Sequence, residues 1–174
     1  MRIPARSAAQ AALWVRGGGA SEGLLGGEHA ERWTVCAAGH EHWGALGGAG
    51  LLLRYAPPRG RAMFLLAQRS QSVDEPGCWG IPGGACRDGE MPEATALREL
   101  REELVSVPAY EVAVVDAQDC GGGWLFWVIV ADVDHRAEVF CGEETETTGW
   151  FTHEQLPDLR LHRGLRLWLE RHAV

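Results

Sequence analysis

Three carboxylates, Glu99, Glu102 and Glu103, stand at i, i+3 and i+4 in the run Arg98-Glu99-Leu100-Arg101-Glu102-Glu103. On a helix turning about 100° per residue, that spacing gathers them within an arc of roughly 100°, each in reach of the others. Like charges held so close raise one another's pKa values or weaken the helix unless something compensates. Hard divalent cations such as Mg2+ take carboxylate and phosphate oxygens as ligands, so a bound cation is one compensation. The other is water around an ordinary charged helix face, the commoner fate of such a run taken alone. Pro92–Leu104 reads as the helix, with Leu97, Leu100 and Leu104, and Ala94 nearby, as an apolar stripe opposite the carboxylates.

Upstream residues shift the balance toward a site. Pro82-Gly83-Gly84 forms a turn in which a backbone carbonyl can approach a ligand closely. Glu90 follows Gly84 by six residues and precedes Arg98 by eight. Arg98 adjoins the carboxylates and has the planar donors to orient one of them through a bidentate pair.

The whole segment resembles the signature box of the Nudix (MutT-like) hydrolases, G-x5-E-x7-R-E-U-x-E-E-x-G-U, with U a bulky aliphatic. Gly84, Glu90, Arg98, Glu99, Leu100, Glu102 and Glu103 match, seven of the nine specified positions, and Leu-Leu-Ala-Gln-Arg-Ser followed by Trp-Gly-Ile-Pro-Gly-Gly resembles the family's entry to the box. Val105 and Ser106 depart from it, and a β-branched residue resists the left-handed exit turn that glycine supplies. The helix is therefore expected to end differently, with Pro108 helping to stop it.

The resemblance covers about Gly44 to the C-terminus. It implies an α/β/α sandwich with a mixed sheet between helices, over residues 41–174, with 1–40 as an N-terminal extension. It implies hydrolysis, with Mg2+ or Mn2+, of the diphosphate linkage of a nucleoside triphosphate or related nucleoside diphosphate derivative. Glu99, Glu102, Glu103 and the Gly84 carbonyl would hold the metal, and Glu90 with Arg98 would brace the loop against the helix. The general base would be Glu99, or else Glu144 or Glu146 in Gly-Glu-Glu-Thr-Glu-Thr-Thr-Gly-Trp, with Glu143 a weaker candidate. ADP-ribose or a nucleotide sugar is the alternative substrate class. A non-catalytic Nudix-fold module is a rival, but degenerate modules usually lose box glutamates and this chain keeps them.

Cys36, His40 and His42 have spacing suited to zinc, but no fourth ligand is evident and a packed turn is the commoner reading. Trp124, Phe126 and Trp127 lie on an expected strand, Trp127 facing away from the other two; one of them could stack on a base, although core packing is more common. Arg69 is a candidate phosphate contact of the same modest weight.

These groups need elements to hold them. Gly50–Tyr55, Ala62–Arg69, Trp79–Ile81, Tyr110–Val115 and Gly123–Ala131 read as strands, with shorter ones at Glu138–Phe140 and Gly149–Thr152. Arg163–His172 reads as a C-terminal helix, and Ser7–Val15 and His29–Val35 as short helices. Strands interleaved with helices predict layered α/β packing. The 174 residues are 46% apolar, enough for one ordinary domain. A net charge of −8 disfavours general nucleic-acid binding without excluding a phosphate substrate carried on a cation. No run of 18 apolar residues predicts a membrane span, and Ala8–Val15, broken by Gln10 and closed by Arg16, is too short for a leader. Five cysteines, an odd number without Cys-x-x-Cys spacing, argue for thiols in a reducing cytoplasm. The expected partner is a small nucleotide, with no nucleic acid and no membrane; a homodimer is left open.

Overall fold

The computed structural model describes residues 30–104, 108–136 and 141–172. The apolar runs do become strands. A short hairpin comes first, β1 (Trp33–Val35) against β2 (Glu41–Trp43). The main sheet follows: β3 (Gly48–Tyr55), β4 (Met63–Arg69), β5 (Trp79–Gly80), β6 (Gly83–Ala85), β7 (Tyr110–Asp119), β8 (Leu125–Val133) and β9 (Thr145–Thr152). Helix α1 (Pro92–Glu103) lies between β6 and β7, and α2 (Arg163–His172) ends the chain after a 3-10 turn at His153–Asp158. The sheet runs β5-β4-β3-β8-β7, with β6 added to β3 and β9 to β4. It is mixed: β3 and β8 are parallel, and the other pairings are antiparallel.

Alternation along the central strands explains the layers. Leu51 and Leu53 of β3 join Ile129 and Ala131 of β8 in one apolar cluster that includes Ala96, Leu100 and Leu104 from α1 and its exit. Leu52, Val128 and Val130 point the other way, into a cluster closed by Leu156, Leu165 and Trp168. Successive side chains leave a strand on opposite faces, so a strand apolar throughout must be covered on both. The result is the expected α/β/α sandwich.

The sheet forks where the box begins. β3 keeps β8 along one edge from Gly48 to Tyr55. On its other edge it pairs with β4 only at Arg54 and Tyr55, and with β6 at Gly48–Gly50. β4 turns instead to β9, so β6 and the start of β9 converge beside α1.

Three expectations change. The segment read as a helix over His29–Val35 forms strand β1 over its last three residues; Trp33, Thr34 and Val35 pair with Trp43, His42 and Glu41, and β-branched and aromatic residues suit that pairing. Ala94 is exposed rather than part of the apolar stripe. Glu99 and Glu103 do not lie opposite the buried face. That face runs from Leu104 and Leu100 through Ala96 to Pro92 and Thr95, and at about 100° per residue Glu103 and Glu99 fall inside its arc. Only Glu102 faces solvent. The helices read at Ser7–Val15 and in the first residue of His29–Val35, the strand at Glu138–Phe140, and Val105 and Ser106 lie outside the described residues.

Candidate active site

The geometry begins with Arg98. Its Nε and Nη2 donate to Glu90 Oε1 and Oε2, each at 3.0 Å, and Nη2 also reaches the Ala85 carbonyl at 2.9 Å. Nη1 donates to Glu99 Oε1 at 2.6 Å and to Glu102 Oε2 at 3.2 Å. One guanidinium thus ties the loop carboxylate, the strand backbone and two helix carboxylates together. Glu90 also accepts from the Thr95 hydroxyl at 2.9 Å and the Arg87 N–H at 3.2 Å. Burial alone would raise the Glu90 carboxyl; the bonds from Arg98, Arg87 and Thr95 outweigh it and hold the pKa down to about 2. Arg98 is in turn pushed above its ordinary range, chiefly by Glu90.

Glu103 has a different environment. Its Oε1 accepts the Gly83 N–H at 2.7 Å and its Oε2 the Thr145 hydroxyl at 3.3 Å. Burial pushes its pKa up to about 7; the Gly83 N–H opposes this, and the negative charges of Glu99 and Glu144 add to it. Glu99 is raised as well, by burial against the pull of Arg98. Two carboxylates drawn out of water, beside a third, favour a nearby positive charge, and a cation seated among them would offset the pull of burial on both.

Gly84 fits the same picture. A Cβ at this position would lie 2.5 Å from Glu99 Cδ and 2.6 Å from both Glu99 oxygens, so only glycine lets the loop backbone meet the carboxylate. The donors gathered here are all oxygens, the set that suits Mg2+ or Mn2+.

The described end of the helix is held by partners. Leu104 is extended at φ −123°, ψ 113°, its N–H still bonded to the Leu100 carbonyl, and it bridges to Cys141. The Gly142 N–H caps the Glu103 carbonyl at 2.5 Å. This ties the segment leading into β9 to the end of α1 and carries Glu144 to where its charge is felt at Glu103. Glu143, Glu144 and Glu146 are all exposed; Glu146 is the extra residue of a bulge where β9 pairs with Gln68 and Arg69, and no described interaction joins it to the cluster.

The other candidates find partners elsewhere. Trp127 is buried in the core on the α1 side, as alternation predicts. Trp124 stacks on His42 with centroids 4.1 Å apart and donates from Nε1 to the Gly44 carbonyl at 2.7 Å. Arg69 Nε is bonded to the Asp74 carbonyl at 2.5 Å.

Thr95 and Thr145 escaped the sequence reading, because a hydroxyl that bonds a carboxylate through tertiary contact leaves no spacing signal. So did the chain Glu31–Arg87–Glu102, at 2.6 Å and 3.9 Å, which runs from the presumed extension into the box.

A mixed sheet forked beside a helix of glutamates, braced by Arg98 and Glu90, defines a class of protein. The chain belongs to the Nudix hydrolases: the NUDIX domain family model matches residues 48–171. It is 38% identical over 138 residues to a Mycobacterium tuberculosis protein named "Putative 8-oxo-dGTP diphosphatase 3", covering 76% of this chain and 64% of that one. It is 40% identical over 139 residues to a Bifidobacterium longum nucleoside triphosphate pyrophosphatase/Nudix hydrolase fusion protein, covering 77% of this chain and 29% of that one. The chain thus spans less than two thirds of the length of either relative. Among solved structures it resembles RenU, a Nudix hydrolase from M. smegmatis, with TM-score 0.73 and 30% identity over 81% of this chain and 91% of that one. No helix among the described residues is long and apolar enough to cross a membrane.

Proposed function

We propose that this chain hydrolyses the diphosphate linkage of a nucleoside triphosphate, with Mg2+ (or Mn2+) held by Glu99, Glu102, Glu103 and the Gly84 carbonyl. The observation that carries this reading is the drawing of Glu99 and Glu103 out of solvent against Gly84 and Gly83, at the fork of the sheet. Ordinary surface glutamates are not placed there. When bound, the metal would offset charge on the diphosphate oxygens and on the attacking water.

The chain's own part is to hold that arrangement. Arg98 fixes Glu99 and Glu102 while Glu90 fixes Arg98. The Gly83 N–H and the Thr145 hydroxyl fix both oxygens of Glu103. Glu99 and Glu144 are the favoured proton acceptors, Glu144 through its electrostatic link to Glu103; Glu146 is less favoured because its strand position sets it apart.

The unit proposed to do this is 41–174, with 1–40 as an extension whose described end, at Glu31, is salted to Arg87. The relatives' names favour a nucleoside triphosphate, an oxidised purine among them, over ADP-ribose or a nucleotide sugar. A cytoplasmic location completes the proposal.

The test is a panel of nucleoside di- and triphosphates, including 8-oxo-dGTP, with nucleotide sugars and ADP-ribose, under Mg2+ or Mn2+. Wild type is compared with Glu103→Gln. Turnover of a triphosphate that collapses in the variant is expected. No turnover of any member, or equal activity in the variant, overturns the reading.

A further inference from the structure

A second set of metal-ligating side chains lies away from the glutamates. The turn between β1 and β2, Cys36-Ala37-Ala38-Gly39-His40, is folded on itself: the Cys36 N–H bonds the His40 carbonyl at 3.0 Å and the Gly39 N–H bonds the Cys36 carbonyl at 2.9 Å. Gly39 is left-handed at φ 81°, which this tight return requires. A second turn faces it, between β7 and β8. There Asp119 Oδ1 accepts from the Gly121 and Gly123 N–H groups at 2.8 Å and 3.1 Å, and the Cys120 N–H bonds the Trp124 carbonyl at 3.1 Å.

The two turns are joined directly, the Ala37 N–H donating to the Gly122 carbonyl at 3.1 Å. A Cβ on Gly122 would lie 2.5 Å from the Ala38 nitrogen and 2.6 Å from Cys36 Sγ, so the second turn is seated on the first as closely as glycine allows.

This juxtaposition supplies what the sequence lacked, a fourth ligand. Donor atoms of Cys36, His40, His42 and Cys120 all lie within 4.8 Å of one another. Zinc bonds of about 2.0–2.3 Å in a tetrahedron separate their donors by about 3.3–3.8 Å, so small side-chain rotations close the set. Two sulfurs and two imidazoles suit Zn2+, and do not suit Mg2+.

The surroundings agree. His42 Nε2 is buried with no hydrogen-bond partner, a state that costs free energy unless something takes its lone pair. The stack on Trp124 fixes the His42 ring plane.

We propose that Cys36, His40, His42 and Cys120 form a structural zinc site that clamps the β1–β2 hairpin to the β7–β8 turn. A hairpin of two three-residue strands is marginal alone, and such a clamp gives it a fixed seat. Binding forms two zinc–sulfur and two zinc–nitrogen bonds in place of the ion's water ligands, and releases the two thiol protons to solvent. The site shares no ligand with the glutamate cluster.

The test uses the full chain, expressed without added metal and purified without a metal-affinity step. One zinc per chain is expected by elemental mass spectrometry, falling to background in Cys36→Ser and in Cys120→Ser and retained in Cys141→Ser. Exchange of the wild type with Co2+ should give the visible bands of a tetrahedral site with two thiolates, a readout that needs no variant to fold. Background zinc in the wild type overturns the proposal. So does zinc that survives both cysteine variants, or a Cys36–Cys120 disulfide in the unreduced intact protein.

Discussion

Adding one methyl group at Gly84 separates a catalytic glycine from a packing glycine. The new Cβ would meet the Glu99 carboxyl at 2.5–2.6 Å, where non-bonded carbon contacts prefer about 3.5 Å. The carboxylate must then withdraw by about 1 Å. Arg98 Nη1, bonded to Glu99 Oε1 at 2.6 Å, opposes that movement, so the displacement falls on the proposed metal site. A misplacement of about 1 Å costs on the order of 10²-fold in rate, or about 2.7 kcal/mol of transition-state stabilisation. The fold should suffer little. Gly84 is not left-handed, and the clash is with the end of a side chain. A loss near 1 kcal/mol would lower Tm by about 2–4 °C in a chain of this size.

Gly83→Ala is the control. Its Cβ would meet the Ala49 carbonyl oxygen at 2.5 Å and Gly50 Cα at 2.6 Å, both backbone, and it should lower Tm by more than Gly84→Ala does. The assays are kcat/KM on the triphosphate found by the substrate panel, Mn2+ affinity by calorimetry, and thermal melts. The reasoning fails if Gly84→Ala keeps activity within about threefold of wild type. It also fails if the variant loses activity only by unfolding as Gly83→Ala does.

Glu103→Gln keeps the side-chain shape but removes the charge between Gly83 and Thr145; kcat should fall by about 10²–10³-fold, measured under saturating Mg2+. Glu90→Gln should destabilise by about 2–3 kcal/mol in urea melts, because Arg98 loses its charged partner and one of two bonds to it, and faces an NH2 donor instead, while its side chain is only 17% exposed. The pH sign follows from the Glu90 pKa, held at about 2 when folded and 4.5 as its ordinary value. Its contribution is full above about pH 4.5 and is lost as pH falls toward 2, so the gap between wild type and Glu90→Gln should narrow over that window. Leu100→Ala empties a fully buried position against β3 and should cost about 2–5 kcal/mol by chemical denaturation, with kcat of the folded fraction reduced less than Tm would suggest.

The two proposed metal-ligand sets show what one dimension of sequence can carry. The glutamate set was readable because its members share a helix and the loop before it, so geometry at 3.6 residues per turn converts spacing into distance. Its sidedness was not readable. Leu97, Leu100 and Leu104 suggested an apolar stripe turned away from the carboxylates, yet the buried arc continues through Ala96 to Thr95 and takes Glu99 and Glu103 inside. Periodicity counts hydrophobic residues, and a helix packed against glycine backbone can bury carboxylates where a helix packed against side chains could not. The strand order was likewise beyond the sequence, since pairing β3 with β8 in parallel depends on a crossover through α1 and β7. The cysteine and histidine set was half legible. Cys36, His40 and His42 are local and were visible as a triad, while Cys120 arrives through the β7–β8 turn, whose glycines Gly121-Gly122-Gly123 carry no ligand signal in the sequence. Gly121 and Gly123 are left-handed, and Gly122 between them must lie against Cys36 with no side chain between. The glycines of that turn are, on the structure, the packing condition for the fourth ligand of the proposed zinc site.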